Sequence, residues 1–202
     1  MRTTPYAGIL VCANVLIHLV TPDLAVLDAA LEGAAALAAA VGADVAEGWE
    51  VFPGSLRRVR DTVAADPASA RWGTRLFVLG EPRTLVGWGG FKGVPRDGAV
   101  ELGYAIAPAW EGRGIATAAV RGLVREAFSA PAVRTVLAHT LAAPNGSVRV
   151  LEKTGFVRDG EHTDEDAGPV WRWRLDRADG QLGSAIAHNI VSAPPPRGTR
   201  GA

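Results

Sequence analysis

The sequence predicts a mixed α/β fold with elements in the order βααβββαβαββ, and three observations carry that prediction. Strand-like segments follow one another between Arg75 and Ala107, separated by "GEPR" and "GVPRDG", which have turn chemistry. The most regular helical periodicity in the chain comes directly afterwards: Ala116, Val120, Leu123, Val124, Ala127 and Phe128 recur at helical spacing. A strand, a short helix and two more strands then complete the pattern. A run of antiparallel strands ahead of a strand, helix, strand unit is an arrangement of the α+β kind.

The elements are justified in turn. The apolar stretch "AGILVCANVLIHLV", after Arg2, has the look of a secretion or lipoprotein signal around Cys12. Asn14 and His18 interrupt it, no small-residue cleavage site follows, Val11 is bulky ahead of a lipidated cysteine, and the run is too short to span a bilayer. It is read instead as a buried strand centred on Val15 to Val20. Thr21-Pro22 supplies a cap and a first-turn proline, and Leu24, Leu27, Leu31, Ala34, Ala38 and Val41 predict one amphipathic helix ending near Gly42. Ser55 to Ala65 predicts a second helix with Arg57, Arg58 and Arg60 outside. Strands are expected at Arg75 to Leu79, Thr84 to Phe91 and Ala99 to Ala107. On the long helix that follows, Arg121, Arg125 and Glu126 should face water. Val133 to Leu141 is a strand, Ser147 to Lys153 a short helix stopped by Gly155, and Phe156 to Glu161 and Val170 to Leu175 the last strands. These boundaries give a lead-in over 1–14, one domain over 15–176 and a disordered tail over 177–202, where "GSAIAHNIVSAPPPRGTRGA" loses all periodicity.

Composition excludes several classes. The 202 residues carry 21 Lys+Arg against 21 Asp+Glu, so no electrostatic pull toward nucleic acid or a membrane surface is expected. One cysteine, Cys12, rules out a disulfide framework or a cysteine metal cluster and suits a reducing, cytoplasmic setting. His18, His139, His162 and His188 lack the spacing of a zinc site, and no metal is expected.

The chemistry concentrates in "PAWEGRGIAT". A strand ending near Ala107 and a helix beginning near Ile115 leave unpaired N–H groups and the positive end of a helix dipole together, with Gly112 and Gly114 keeping side chains out of the way. Such a loop holds an anion or is simply a structural turn. A nucleotide P-loop needs Gly-Lys-Ser/Thr, and the chain has Gly-Ile-Ala. A dinucleotide fold needs a third glycine and an acid after the next strand; Thr117 and "VLAHTL" provide neither.

"VELGYAIAPAWEGRGIATAAV" and "VLAHTLAAPNGSVRVLEKTGF" resemble the GNAT superfamily of N-acetyltransferases, in particular the branch acting on ribosomal-protein and other N-terminal amines. The resemblance runs from about Leu16 to Leu175 and is most specific between Glu101 and Phe156. It implies a split, mostly antiparallel sheet with helices on both faces, and acetyl-CoA as co-substrate. The family loop is Gln/Arg-x-x-Gly-x-Gly/Ala; Gly114 and Ala116 match, and Glu111 departs. The cofactor diphosphate would lie on the amides of Gly112, Arg113, Gly114, Ile115, Ala116 and Thr117, and the pantetheine arm beside Ile106 and Ala107. Asn145 and Ser147 match a polar pair that contacts the CoA arm or caps the next helix.

Acetyl transfer needs a neutral amine, a polarised thioester and a proton for the thiolate. An α-amine with a pKa of about 8 is roughly one-tenth neutral at pH 7, whereas a lysine costs about 3.5 kcal/mol more to deprotonate. The resemblance makes Glu101 the candidate base and His139 a candidate relay, each with a purely structural alternative. Leu151 occupies the position of the family's tyrosine acid, leaving Tyr104, water, or a thiolate that departs with little help. The expected acceptor is a small-molecule amine or a peptide N-terminus, taken up by a monomer or homodimer, with the acidic "GEHTDEDAGPV" loop as a possible rim and Trp49, Trp88, Trp171 and Trp173 as possible walls. A non-catalytic acyl-CoA-binding or sensing domain is the alternative, favoured by Leu151 and Glu111.

Overall fold

The computed structural model describes residues 9–12, 15–50, 54–165 and 167–178. Asn14, Asp166, His188, most of the expected lead-in and all but the start of the expected tail lie outside the described residues.

The core is a nine-stranded mixed sheet. The strands are β1 Ile9–Cys12, β2 Val15–Val20, β3 Asp44–Val45, β4 Thr74–Leu79, β5 Thr84–Phe91, β6 Ala99–Ile106, β7 Thr135–Leu141, β8 Val157–Asp164 and β9 Gly168–Asp176. They lie in the order β1-β2-β4-β5-β6-β7-β9-β8, with β3 added beside β5. All pairs are antiparallel except β3 with β5 and β6 with β7. The helices are α1 Leu24–Glu32, α2 Ala34–Val41, α3 Ser55–Ala65, α4 Ile115–Ser129 and α5 Gly146–Lys153.

Several expectations are corrected. The apolar N-terminal stretch is a hairpin rather than one strand, with Ile9 opposite His18. The single helix expected from Leu24 to Val41 is two. At Gly33 the backbone turns to φ 130°, ψ 177°, which a side chain resists, so α1 ends and α2 starts there. The cap of α1 is Asp23, whose carboxylate accepts from Val26 N–H at 2.9 Å, and not Thr21. Periodicity missed the break because apolar spacing continues across it.

Helix α4 packs its small residues against the sheet. Ile115, Ala118, Ala119, Leu123 and Ala127 are buried, whereas Ala116, Val124 and Phe128 are only half-buried, so the buried stripe is rotated from the expected one. Glu126, expected in water, pairs with the guanidinium of Arg75, which is 1% exposed and also donates to the carbonyl oxygens of Ala70, Arg71, Gly73 and Thr74. A buried arginine is tolerated only when its donors are satisfied in this way. It ties α4 to the 3₁₀ turn Pro67–Trp72, which has no periodic signal in the sequence.

The feature that positions the site is the split. β6 and β7 pair only from Ala99↔Thr135 to Glu101↔Leu137. Past Glu101 the strands part, although β6 runs on to Ile106 and β7 to Leu141.

Candidate active site

At the open end of the split, β6 leads through the short turn Pro108–Trp110 into the glycine loop. Gly112 (φ 73°) and Gly114 (φ 79°) are both left-handed, a conformation that favours glycine, and Gly114 is the N-cap of α4 with no side chain serving as cap. The first helical bond is Ala118 N–H to Gly114 O at 3.0 Å, so the amides of Ile115, Ala116 and Thr117 precede the ladder. Space over both glycines is open, with nothing within 4 Å of where a Cβ would be. Ile115 is buried and contributes only its amide. Arg113 stacks its guanidinium 4.8 Å over the Trp110 ring, which holds its charge at the loop edge. These features fit a diphosphate, because they combine free donors, a helix dipole and no obstructing side chain. Glu111 is exposed and places one opposing charge nearby.

The strand edge refines the expectation about Ile106 and Ala107. Ala107 N–H donates to Val86 O at 2.8 Å and is thereby committed to β5. Strand alternation then directs the N–H groups of Tyr104 and Ile106 toward the gap, where no strand faces them. Any amide that polarises a thioester in the split comes from these two residues.

On one face of the split, Glu101 meets His139, with Oε1 2.9 Å from Nδ1, and Lys92, with Nζ at 2.5 Å. His139 in turn lies edge-on to His162, ring centroids 4.8 Å apart. Burial pushes the Glu101 pKa up, but the hydrogen bonds and charges of Lys92 and His139 outweigh it and hold the group below the ordinary carboxylate value. Glu101 is therefore an anion throughout the neutral range. Tyr104 leaves β6 on the opposite face and bridges the split, its hydroxyl donating to Ser147 O on α5 at 3.2 Å. Burial pushes its pKa up to about 12. Asn145, not Ser147, caps α5: its Oδ1 accepts from Val148 N–H at 3.0 Å and its Nδ2 donates to Ala143 O at 2.9 Å. Both polar atoms of Asn145 are thus occupied locally. Leu151 is fully buried.

Beside Glu101, a cleft of about 570 Å³ opens between α3 and the face of β5 and β6. Trp88 and Gly103 form its floor, Val59 one wall, and Lys92 its edge. The acidic hairpin does not contribute to this lining. Glu161 accepts from Trp171 Nε1 at 2.9 Å and Asp164 from Ala167 N–H at 2.9 Å, so these carboxylates serve their own hairpin. Of the four tryptophans expected as walls, only Trp88 lines the cleft; Trp49 and Trp173 are buried and Trp171 stacks under Arg158. Lys92 and His162 were not singled out from the sequence. The hairpin register sets Lys92 opposite Glu101, Lys92 N–H donating to Glu101 O at 2.9 Å, and this is invisible before the strands are paired.

The mixed sheet, split beside a helix entrance whose amides fit a diphosphate, is the arrangement that the sequence resemblance implies. The chain belongs to the GNAT acetyltransferase family: the pattern of the acetyltransferase (GNAT) domain matches residues 28–157. It is an N-acetyltransferase domain by family and fold. Among solved structures it is similar to the ribosomal-protein-S5-alanine acetyltransferase of Vibrio fischeri, with a TM-score of 0.60 and 17% identity, covering 86% of this chain and 98% of that one. RimJ of Mycobacterium smegmatis, solved in complex with CoA-disulfide, gives 0.59 and 18%, covering 86% and 88%. A GNAT-family acetyltransferase of Bacillus anthracis gives 0.58 and 16%, covering 84% and 98%. No curated protein sequence matches the chain. Among the described residues no helix is long and apolar enough to cross a membrane.

Proposed function

We propose that the chain moves the acetyl group of acetyl-CoA directly to a primary amine, a peptide N-terminus or a small-molecule amine, within a ternary complex. The observation that carries this reading is the Glu101–His139 pair at 2.9 Å, set at the point where the sheet splits. The family and the free amides of the glycine loop support acetyl-CoA as donor. The single cysteine supports a reducing, cytoplasmic setting.

Each residue has a stated task in the reaction. The amides from Gly112 to Thr117 would hold the diphosphate, and those of Tyr104 and Ile106 would polarise the thioester carbonyl. With its pKa held down, Glu101 is a weak proton sink. It serves best as the fixed anion that orients His139 Nδ1–H and stabilises the imidazolium, leaving Nε2 to take the amine proton as nitrogen attacks carbon. The C–S bond then breaks and the thiolate leaves. Complete proton transfer from a phenol near 12 to a thiolate of about 8.5 costs about 5 kcal/mol, so Tyr104 acts as a hydrogen-bond donor and water supplies the proton. Such a base suits an α-amine better than a lysine side chain.

The alternative is a domain that binds acyl-CoA without transfer, and the buried Leu151 favours it, because a core leucine cannot donate a proton. Free-thiol release from acetyl-CoA over a panel of amines and peptides decides between them. Turnover on an α-amine with a random-order ternary pattern supports transfer; tight acetyl-CoA binding with no turnover on any acceptor supports sensing.

A further inference from the structure

The cleft beside Glu101 carries more information than its position. Its charged lining consists of Arg58 and Lys92, and among the described residues no carboxylate lines it. Glu101, which sits next to it, has its charge compensated by Lys92 at 2.5 Å, so it projects little negative potential toward an incoming cation. The rest of the wall is largely apolar. Trp72 meets Phe91 edge-on at 5.2 Å, giving an aromatic corner of the kind that receives a flat ring. In the floor, Trp88 is 6% exposed and its indole Nε1 is buried with no hydrogen-bond partner. An unpaired buried donor costs about 1–3 kcal/mol, so the floor of the cleft carries a polar group that its own packing does not satisfy.

From this combination we infer that the acceptor is an α-amine of dipeptide size with an aromatic or other apolar side chain and a free carboxylate, and that polycationic amines are rejected. The inference rests on the reading of the site as an acetyltransferase acceptor side and goes beyond it by naming the substrate class. A single amine that must become neutral to react is compatible with a cleft that offers it no carboxylate and presents the Arg58 guanidinium; a second and third positive charge are not. The carboxylate finds Arg58 on α3, and the apolar body finds the Trp72–Phe91 corner. The volume, about 570 Å³, accommodates a molecule of that size.

The test uses the full chain with saturating acetyl-CoA and three acceptors, Ala-Phe, Ala-Phe amide and spermidine, read by free-thiol release. Ala-Phe should exceed its amide by about tenfold in kcat/KM and spermidine by about a hundredfold, and Arg58→Glu should bring Ala-Phe down to its amide through KM. Arg58 is exposed on α3, and unchanged far-ultraviolet circular dichroism and CoA affinity confirm that the variant folds. Spermidine turned over as well as Ala-Phe, or an Arg58→Glu enzyme with the same preference, overturns the inference while leaving the transferase standing. If no acceptor is turned over, tryptophan fluorescence of the CoA-bound protein reads binding of the same three compounds. Tighter binding of Ala-Phe than of both others then upholds the substrate class and removes only catalysis, and equal binding removes the class.

Discussion

The two halves of the active site are made of different material. The proposed donor half, from Gly112 to Thr117, is backbone: amides ahead of the first bond of α4, exposed by two glycines with φ near 75°. The proposed acceptor half is side chain: Glu101 on β6, His139 on β7 and Lys92 in the turn just after β5, with Arg58 and two tryptophans around the cleft. A backbone site depends on local conformation and tolerates changes in the residues around it, so the Glu111 charge is expected to weaken the loop without abolishing it. A side-chain site depends on register and packing, so it fails when one partner is lost.

That contrast is tested most strongly on the acceptor half. His139→Ala should lower kcat by about 100- to 1,000-fold, the usual worth of a positioned base, with CoA affinity unchanged. Glu101→Gln should follow it, more severely with lysine-like acceptors than with α-amines. A stopped-flow or thiol-release assay that shows either variant at full kcat would remove the pair from catalysis. The next effect belongs to the donor half. Gly114→Val places a β-branched residue at φ 79°, and although nothing within 4 Å obstructs its Cβ, the strain and the lost access to the amides should weaken CoA by about a hundredfold, roughly 3 kcal/mol. Calorimetry reads this directly, and kcat at saturating acetyl-CoA should stay near wild type.

Tyr104 spans both halves and gives a pH signature. Its folded pKa of about 12 lies above the ordinary value of 10.0, so the folded state favours the protonated phenol. The contribution is fully present below pH 10 and is lost as pH rises toward 12, amounting to about 2–3 kcal/mol. Tyr104→Phe should remove that part of the alkaline loss in urea melts taken from pH 9 to 12. The smallest effect expected is Glu111→Gln, which should tighten CoA two- to fivefold at low salt, a few tenths to 1 kcal/mol, and much less at 1 M salt. An unchanged affinity at low salt would mean that the Glu111 charge lies outside the field of the diphosphate.

Legibility in the sequence followed the same division. The glycine loop was readable because positive φ is a local demand that few residues meet, and α3, β5 and α4 began where helical spacing, the "GEPR" turn and the glycine loop placed them. The break at Gly33 was also local, but the apolar spacing on both sides hid it. The partner of Glu126 was not readable, because Arg75 lies 51 residues away on a strand whose face was unknown until α4 packed on it. The same holds for the cleft: Arg58 reads as an ordinary outward-facing cation, Lys92 carries no local signal, and only the tertiary structure sets both on the lining of one cleft.

By itself, then, the sequence determined the element order, the free amides at the entrance of α4 and the family, since each depends on residues close together in the chain and on backbone preferences that act within a turn. Only the tertiary structure decided that β6 and β7 part after Glu101, that His139 and Lys92 share one carboxylate, and that Asn145 rather than Ser147 caps α5. Those are outcomes of strand register and helix docking, where positions far apart in sequence become neighbours through the burial of a common core, and no local preference encodes them.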